Sequence, residues 1–577
     1  MGKISNWVGQ NRSLVSDWQD ISAILDKLNT DGERKPDLTR PDFDALVERG
    51  AAFVTYDFGI DGVSIEIFKY AECLEEIFPK MPLHFVGGDF HEKADIVLKP
   101  YWKRFNVDGF NGWNKWFNGE QFAKLYYQDM PDGSPESQAA AVEMWRQACV
   151  FAEQLGGYLE KNDINLAIPV NIPTNPGNFA AMLAIILVTE LLGTYVISSN
   201  HDYYWEGGKP AAERAPGEQP GPRDHFFRNC GNQSFFTLFK RMYPWNGQRW
   251  IQVNINTPQS EALVTRFGFD QVQVFELGTS ISDKFFTCST PEDVASVRSR
   301  MNYIVSDGSP EITTLDVRDH LANLGVWMKD QKPIGLGNSS GLTLDLAAAG
   351  SIYCLQPTRV IYRKHIEKDL EFMKALLHYP PFADQLRDNP ERQLILHITG
   401  PTPIEHQEDL ATVLKAYIDL CDSVPGDIAD RVFMVFSVGN ENHPCFKKLG
   451  LEPLCIEKIY QLADVVVFPS ETEGRGLPII ESSAGGIPII CRRYYPEDVF
   501  AEVIGENLPE AEQIKYLLFP IEDFSDKFLA GATKMLLCPE KFDAWREHNR
   551  EAVRTRYSIK MIVRKFRTFL NKLYKMS

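Results

Sequence analysis

The sequence predicts an α/β fold of two domains, each a Rossmann-like parallel sheet wrapped by helices, the pair facing a central cleft. Three observations predict it. Apolar strand-like runs alternate with amphipathic helical stretches through the second half of the chain. The first half keeps a looser version of the same rhythm. A Gly-rich turn flanked by carboxylates, Ser470 to Glu481, falls between two of the apolar runs.

Residues 1–48 are polar and helix-prone and read as an N-terminal helical extension. Ala52 to Tyr56 is the first strand, followed by the turn Gly59 to Ser64 and a helix through Leu74. Strands at Asn165–Val170 and Tyr195–Ser198 bracket a long apolar helix, Phe179–Leu192. Trp250–Asn254 is another strand. An insertion is expected near 207–248, with its Gly-, Pro- and charge-rich part, Gly207–Arg223, on the surface and mobile. The first domain is set at 49–350, with Pro333–Ser340 approaching the hinge. The second, 351–555, has strands at Ile352–Gln356, Leu394–Thr399, Val432–Ser437, Asp464–Pro469, Ile487–Cys491 and Tyr516–Phe519. Helical stretches at Ile366–Leu377, Glu408–Cys421, Ile456–Leu462 and Phe524–Leu537 lie between them. In the tail, Ile559, Ile562, Val563, Phe566, Leu570 and Leu573 form one apolar face opposite six lysines and arginines. Such a stripe faces a core or lies on a membrane, and the core is the commoner use.

The loops after the strands carry the chemistry, because ligands of parallel α/β sheets sit at the carboxyl ends of the strands. In the turn, Gly474 and Gly476 can take positive φ and admit close backbone approach. Pro478 suits the first turn of a helix. The amides of Gly474–Leu477 and the positive helix end then suit a phosphate. Glu473 and Glu481, on either side, can accept hydrogen bonds from hydroxyls, so ribose, diphosphate and sugar in a row describe a nucleotide sugar. Arg359 ends a strand and Lys364 opens the next helix. Their spacing lets a planar fork and a point charge both reach one diphosphate. The polar loop Asn171–Asn178 is a candidate acceptor wall through Asn175. Asp42-Phe43-Asp44 sits in a helix-prone stretch rather than at a strand end and reads as surface.

Composition bounds the rest. A chain of 577 residues with 44% hydrophobic and 24% charged residues is an ordinary multidomain globular protein. Its net charge of −18 argues against a nucleic-acid partner and against an anionic membrane. Ten cysteines without a C-x-x-C pair read as free thiols of a reducing compartment. The start lacks an apolar signal segment, and Phe179–Leu192 is too short to span a bilayer. The expectation is a cytoplasmic, soluble protein, with no metal-ligand spacing and no cofactor.

The Glu-x7-Glu spacing around Gly474-Arg475-Gly476-Leu477-Pro478, with the Arg359-x4-Lys364 pair, resembles the retaining glycosyltransferases of the GT-B type, family 4. The resemblance spans roughly residues 50–570 and is sharper in the second domain. It departs from the family where Pro357-Thr358 precede the arginine, where His365 replaces a glycine, and where Arg475 replaces an apolar aromatic. Arg475 either pairs with Glu471 or contacts an anionic acceptor. The resemblance implies transfer of a hexose from a UDP-glucose- or GDP-mannose-type donor to a hydroxyl of a small polar or anionic acceptor. Its implied catalytic set is Arg359, Lys364, Glu473 and His201, the histidine lying near the anomeric carbon. Donor contacts would come from Gly62, Gly474, Arg475, Gly476, Leu477 and Glu481. Acceptor contacts would come from Asp61, Asn175, Asp202 and Tyr204, aromatic neighbours of His201 offering ring faces to sugar. Residues 556–577 would cross back to the first domain. Alternatives left open are a non-catalytic sugar-nucleotide-binding or scaffold protein, and an epimerase or phosphorylase of the same layout. A phosphorylase would need a pyridoxal-phosphate lysine that the sequence does not assign.

Overall fold

The computed structural model describes residues 2–31, 38–59, 61–112, 119–287, 289–437, 448–450 and 454–576. It forms two compact units, residues 1–280 with 559–577, and residues 281–558.

The first unit is built on seven parallel strands: β1 (Ala51–Val54), β2 (Leu83–Gly87), β3 (Lys103–Asn106), β4 (Leu166–Pro169), β5 (Tyr195–Asn200), β6 (Trp250–Asn254) and β7 (Val274–Glu276). Their order is β3-β2-β1-β4-β5-β6-β7. The sheet grows outward from β1 in one direction, then resumes at β4 in the other, so a crevice opens where β1 and β4 separate. The helix Phe179–Leu192 is apolar on every side and buried along its length, as an all-round apolar helix must be. Asn178 caps its start and Gly193, at φ 63°, ends it.

The extension also belongs to this core. Ile4, Val8, Trp18 and Phe43 of its three helices are buried. An insertion is expected over residues 207–248, yet the helix Gln233–Met242 within them buries Phe235, Leu238, Phe239 and Met242 in the same core. The stretch before it is loop with two short 3-10 helices, Ala211–Glu213 and Asp224–Phe227, held by Arg214–Asp224 and Lys209–Glu218 ion pairs. The final helix, Ile559–Lys575, packs on the helix Gly62–Ile77, with Phe566 5.4 Å from Tyr70. Its apolar stripe is core-facing.

The second unit repeats the order. Its strands are β8 (Leu315–Asp316), β9 (Ile334–Gly337), β10 (Ile352–Gln356), β11 (Leu394–Ile398), β12 (Val432–Phe436), β13 (Val465–Phe468), β14 (Ile489–Cys491) and β15 (Leu517–Leu518). They run β8-β9-β12-β11-β10-β13-β14-β15, all parallel except for β9 against β12. Here the crevice opens between β10 and β13.

The division between units falls at Ser280, not near 350. Pro333–Ser340 is no hinge approach, because Ile334–Gly337 within it pairs with β12 and is buried throughout. Gly335 and Gly337 fit there for want of room: a Cβ on Gly335 would lie 2.6 Å from Ile312.

Candidate active site

The second unit's crevice gathers the charged residues singled out from the sequence. β10 delivers Gln356, Thr358 and Arg359, and the short 3-10 helix Tyr362–Lys364 follows. Thr358 is fixed by the buried Gln356 carbonyl, which accepts from its N–H at 3.2 Å and its hydroxyl at 2.9 Å. The Gln356 amide in turn donates to the buried Asp369 carboxyl at 2.7 Å. Val360 N–H donates to the Pro401 carbonyl at 3.0 Å. Gly400 backs this loop so closely that a Cβ would meet the Thr358 carbonyl oxygen at 1.9 Å. Arg359 itself is exposed. His365 takes the left-handed conformation, φ 50°, at the position where the resemblance expects glycine. Its two ring nitrogens lie 2.9 Å from Glu367 and 3.3 Å from Glu471, partners that hold a residue type tolerant of that backbone.

β13 delivers the other wall. The loop after it is tied to its surroundings by backbone: Glu471 N–H to the Arg363 carbonyl at 2.9 Å, and Glu473 N–H to the Tyr495 carbonyl at 3.0 Å. The Arg363 guanidinium donates to the Thr472 carbonyl at 2.7 Å. This brings Lys364 and Glu473, 8% and 11% exposed, into a direct ion pair. Burial pulls the Lys364 ammonium below its ordinary pKa, the Glu473 carboxylate opposes that, and Arg363 and Arg359 reinforce it. Gly476, at φ 58°, starts the helix Leu477–Gly485, and no side chain caps that end. A Cβ at Gly476 would lie 2.4 Å from the Tyr494 hydroxyl. Only glycine therefore fits, and the helix starts without a side-chain cap. Glu481, half-buried on this helix, accepts from the Tyr460 hydroxyl at 2.7 Å. Burial and Glu481 together push the Tyr460 phenol well above its usual pKa, so it stays a donor. Glu471 faces His365 and, at 3.9 Å, Arg492.

In the first unit the crevice between β1 and β4 is a cavity of about 200 Å³. Tyr56, Asp57, Asp61, Gly112, Asn171 and Asn175 are on its walls. Asp61 caps the helix Gly62–Ile77, accepting from Val63 N–H at 2.9 Å and Ser64 N–H at 3.0 Å. Gly62 is exposed with nothing near its Cβ position, so no close approach requires glycine there. Asn171, at φ 65°, exchanges two 3.0 Å hydrogen bonds with Asp202, and Arg223 holds the other Asp202 oxygen at 3.0 Å. His201 is 7% exposed, with Nε2 3.3 Å from the Ser199 hydroxyl.

The aromatics beside His201 do not form a sugar platform. Tyr204 is 2% exposed and packs edge-on against Phe239 at 4.7 Å and Trp205 at 5.1 Å. Tyr203 stacks on Trp205 at 4.0 Å and Trp205 on Phe267 at 4.3 Å. Their faces are spent on one another. Conversely, Asp57, Tyr460 and Asp369 are not singled out by the sequence. The turn glycines and the strand end at Gln356 are the available signals, but partners so distant in sequence leave no local pattern.

Residues 445–552 match the family model described as Glycosyl transferases group 1. No curated protein matches the chain by sequence. Among solved structures, a glycosyltransferase from Rickettsia africae superposes with a TM-score of 0.52 at 12% identity, over 92% of this chain and 99% of that one. The N-terminal domain of trehalose-6-phosphate phosphatase from Candida albicans gives 0.50 at 11% identity, over 94% and 98%. Two sheets that share a six-strand order give the chain the GT-B fold of these neighbours, and a segment similar to the Glycosyl transferases group 1 family forms one wall of the cationic crevice.

Proposed function

We propose that the protein is a retaining hexosyltransferase that moves a hexose from a UDP-glucose- or GDP-mannose-type donor to the hydroxyl of a small acceptor. The observation that carries this reading is the buried Lys364–Glu473 pair, set at the strand switch beside a helix end that only Gly476 can begin. Cleaving the bond between sugar and diphosphate builds positive charge on the sugar and negative charge on the departing phosphate. Arg359, Lys364 and the amides from Gly474 to Leu477 stabilise the negative charge where it develops, often the largest catalytic contribution. Arg475 adds a further cation to the donor contacts. Glu473 holds sugar hydroxyls while orienting Lys364. Glu481 takes the ribose hydroxyls, its geometry set by Tyr460. His201 orients the transferred sugar, and Asp61, Asn175 and Asp202 serve the acceptor. The leaving phosphate takes the acceptor proton on the same face, so the α linkage is kept and neither a protein nucleophile nor a metal is called upon. Tyr204, sealed in the core, has no part.

The test is a panel of sugar nucleotides followed by nucleotide release and by the anomeric configuration of the product. Turnover with α product supports the reading. A β product, or full activity in Glu473→Gln, overturns it.

A further inference from the structure

The turn after β10 that carries Arg359 is held from behind by a chain of buried polar groups, and the far end of that chain is Asp369. Asp369 is the third residue of the helix Glu367–His378 and is fully buried. An acid at that position ordinarily reaches back to the helix cap. Here its side chain makes one hydrogen bond among the described residues, Oδ2 accepting from the Gln356 amide at 2.7 Å, while Oδ1 makes none. Burial pushes the carboxyl well above the ordinary range, against the pull of that hydrogen bond. Its neighbours on the helix, Leu370, Phe372 and Met373, are buried and apolar. An apolar side chain at 369 would leave no carboxyl oxygen without a partner, so packing does not account for an acid there. The direction of Gln356 does. A backbone N–H can only donate, so Gln356 must turn its side-chain oxygen toward the Thr358 N–H, which lies at 3.2 Å with the Thr358 hydroxyl at 2.9 Å. The buried Gln356 NH2 then points the other way and needs an acceptor, and Asp369 supplies it. A reversed amide would set donor against donor at Thr358.

We propose that Asp369 is a positioning residue: by fixing which way the Gln356 amide faces, it holds the Thr358–Arg359 turn in the conformation that presents Arg359 to the diphosphate of the donor. The donor rests on the transferase reading above; the hold on the turn rests on the hydrogen bonds alone. Arg359 is exposed and long, so a fixed backbone beneath it lowers the ordering cost of gripping a phosphate. Asp369 acts through Gln356 and Thr358, not on the donor itself.

Two measurements on the full-length protein test this: hydrogen exchange by mass spectrometry over peptides spanning 355–361, and calorimetric affinity for UDP, GDP, UDP-glucose and GDP-mannose. Pro357 has no amide hydrogen, which sharpens the reading of Thr358. Asp369→Leu should speed exchange in those peptides by about tenfold or more, and weaken the nucleotide that the wild type binds by about tenfold. Asp369→Asn keeps an acceptor for Gln356 and should restore both. Gln356→Met breaks the chain one step later and should match the leucine variant; adding Asp369→Leu to it should weaken binding no further. Should Asp369→Leu melt far below the wild type, Asp369→Ala takes its place under the same criteria. Three results each overturn the proposal: exchange or affinity at the wild-type level in Asp369→Leu, an asparagine variant as impaired as the leucine one, or fully additive losses in the double variant. If the wild type binds none of the four nucleotides while Asp369→Leu loosens the turn, the transferase reading falls and the hold on the turn stands. If a nucleotide binds wild type and leucine variant alike, the transferase reading stands and the role of Asp369 falls.

Discussion

The two units share a strand order and differ in what they place at its turning point. In the second, β10 and β13 part around a lysine, exposed and half-buried arginines, and a helix end without a side-chain cap. In the first, β1 and β4 part around two carboxylates, and the helix end is closed by Asp61. The same backbone device is therefore left without a side-chain cap in one unit and closed by a carboxylate in the other. One residue at a helix start is what separates them.

The comparison breaks most sharply at Glu473. Glu473→Gln should lower kcat by about a hundredfold or more, measured by nucleotide release at saturating donor, because the buried cation loses its counter-charge and the sugar its anchor. Gly476→Ala comes next. Its Cβ conflicts with Tyr494 and its φ is left-handed, so unfolding stability should drop by about 2–4 kcal/mol with donor affinity lost. Adding Tyr494→Phe removes the clashing hydroxyl and should restore part of the stability in chemical denaturation but not the strain of φ. Asp61→Ala should cost about 1 kcal/mol of stability while Asp61→Asn costs little, and only unit 1 helices should report the loss by hydrogen exchange.

A smaller effect sharpens the contrast further through the buried Asp369 of the second unit. Burial raises its carboxyl well above the ordinary range. A raised folded-state pKa means the unfolded chain releases its proton first. The stability this group contributes is complete below the unfolded carboxylate value of about 4 and drains away as pH rises toward the folded value. Asp369→Asn removes that drain. The melting temperature of the variant relative to wild type should therefore rise between pH 5 and pH 8.

The second unit's site was legible because its signals are local. Gly474, Gly476, Pro478 and the two glutamates lie on one turn and the helix after it, where spacing alone encodes the local backbone. The boundary was not, because Ile334–Gly337 is a short strand with two glycines, and its partner β12 lies about a hundred residues on. β3 was equally silent: Lys103 to Asn106 is a largely exposed strand at the sheet edge and carries charges rather than an apolar run. Tyr204 misled for a related reason. A tyrosine beside a histidine reads as an open ring until Phe227 and Phe239, from a segment that reads as an insertion, are seen to cover it.

The last helix sets an order of events in synthesis. Ile562, Val563, Phe566, Phe569, Leu570 and Leu573 complete the apolar cluster of the first unit, although they are translated after the whole of the second. While the ribosome is still at work, the helix Gly62–Ile77 waits with its greasy side bare. The unit born first is the one finished last, and a nascent-chain holdase has its natural window there.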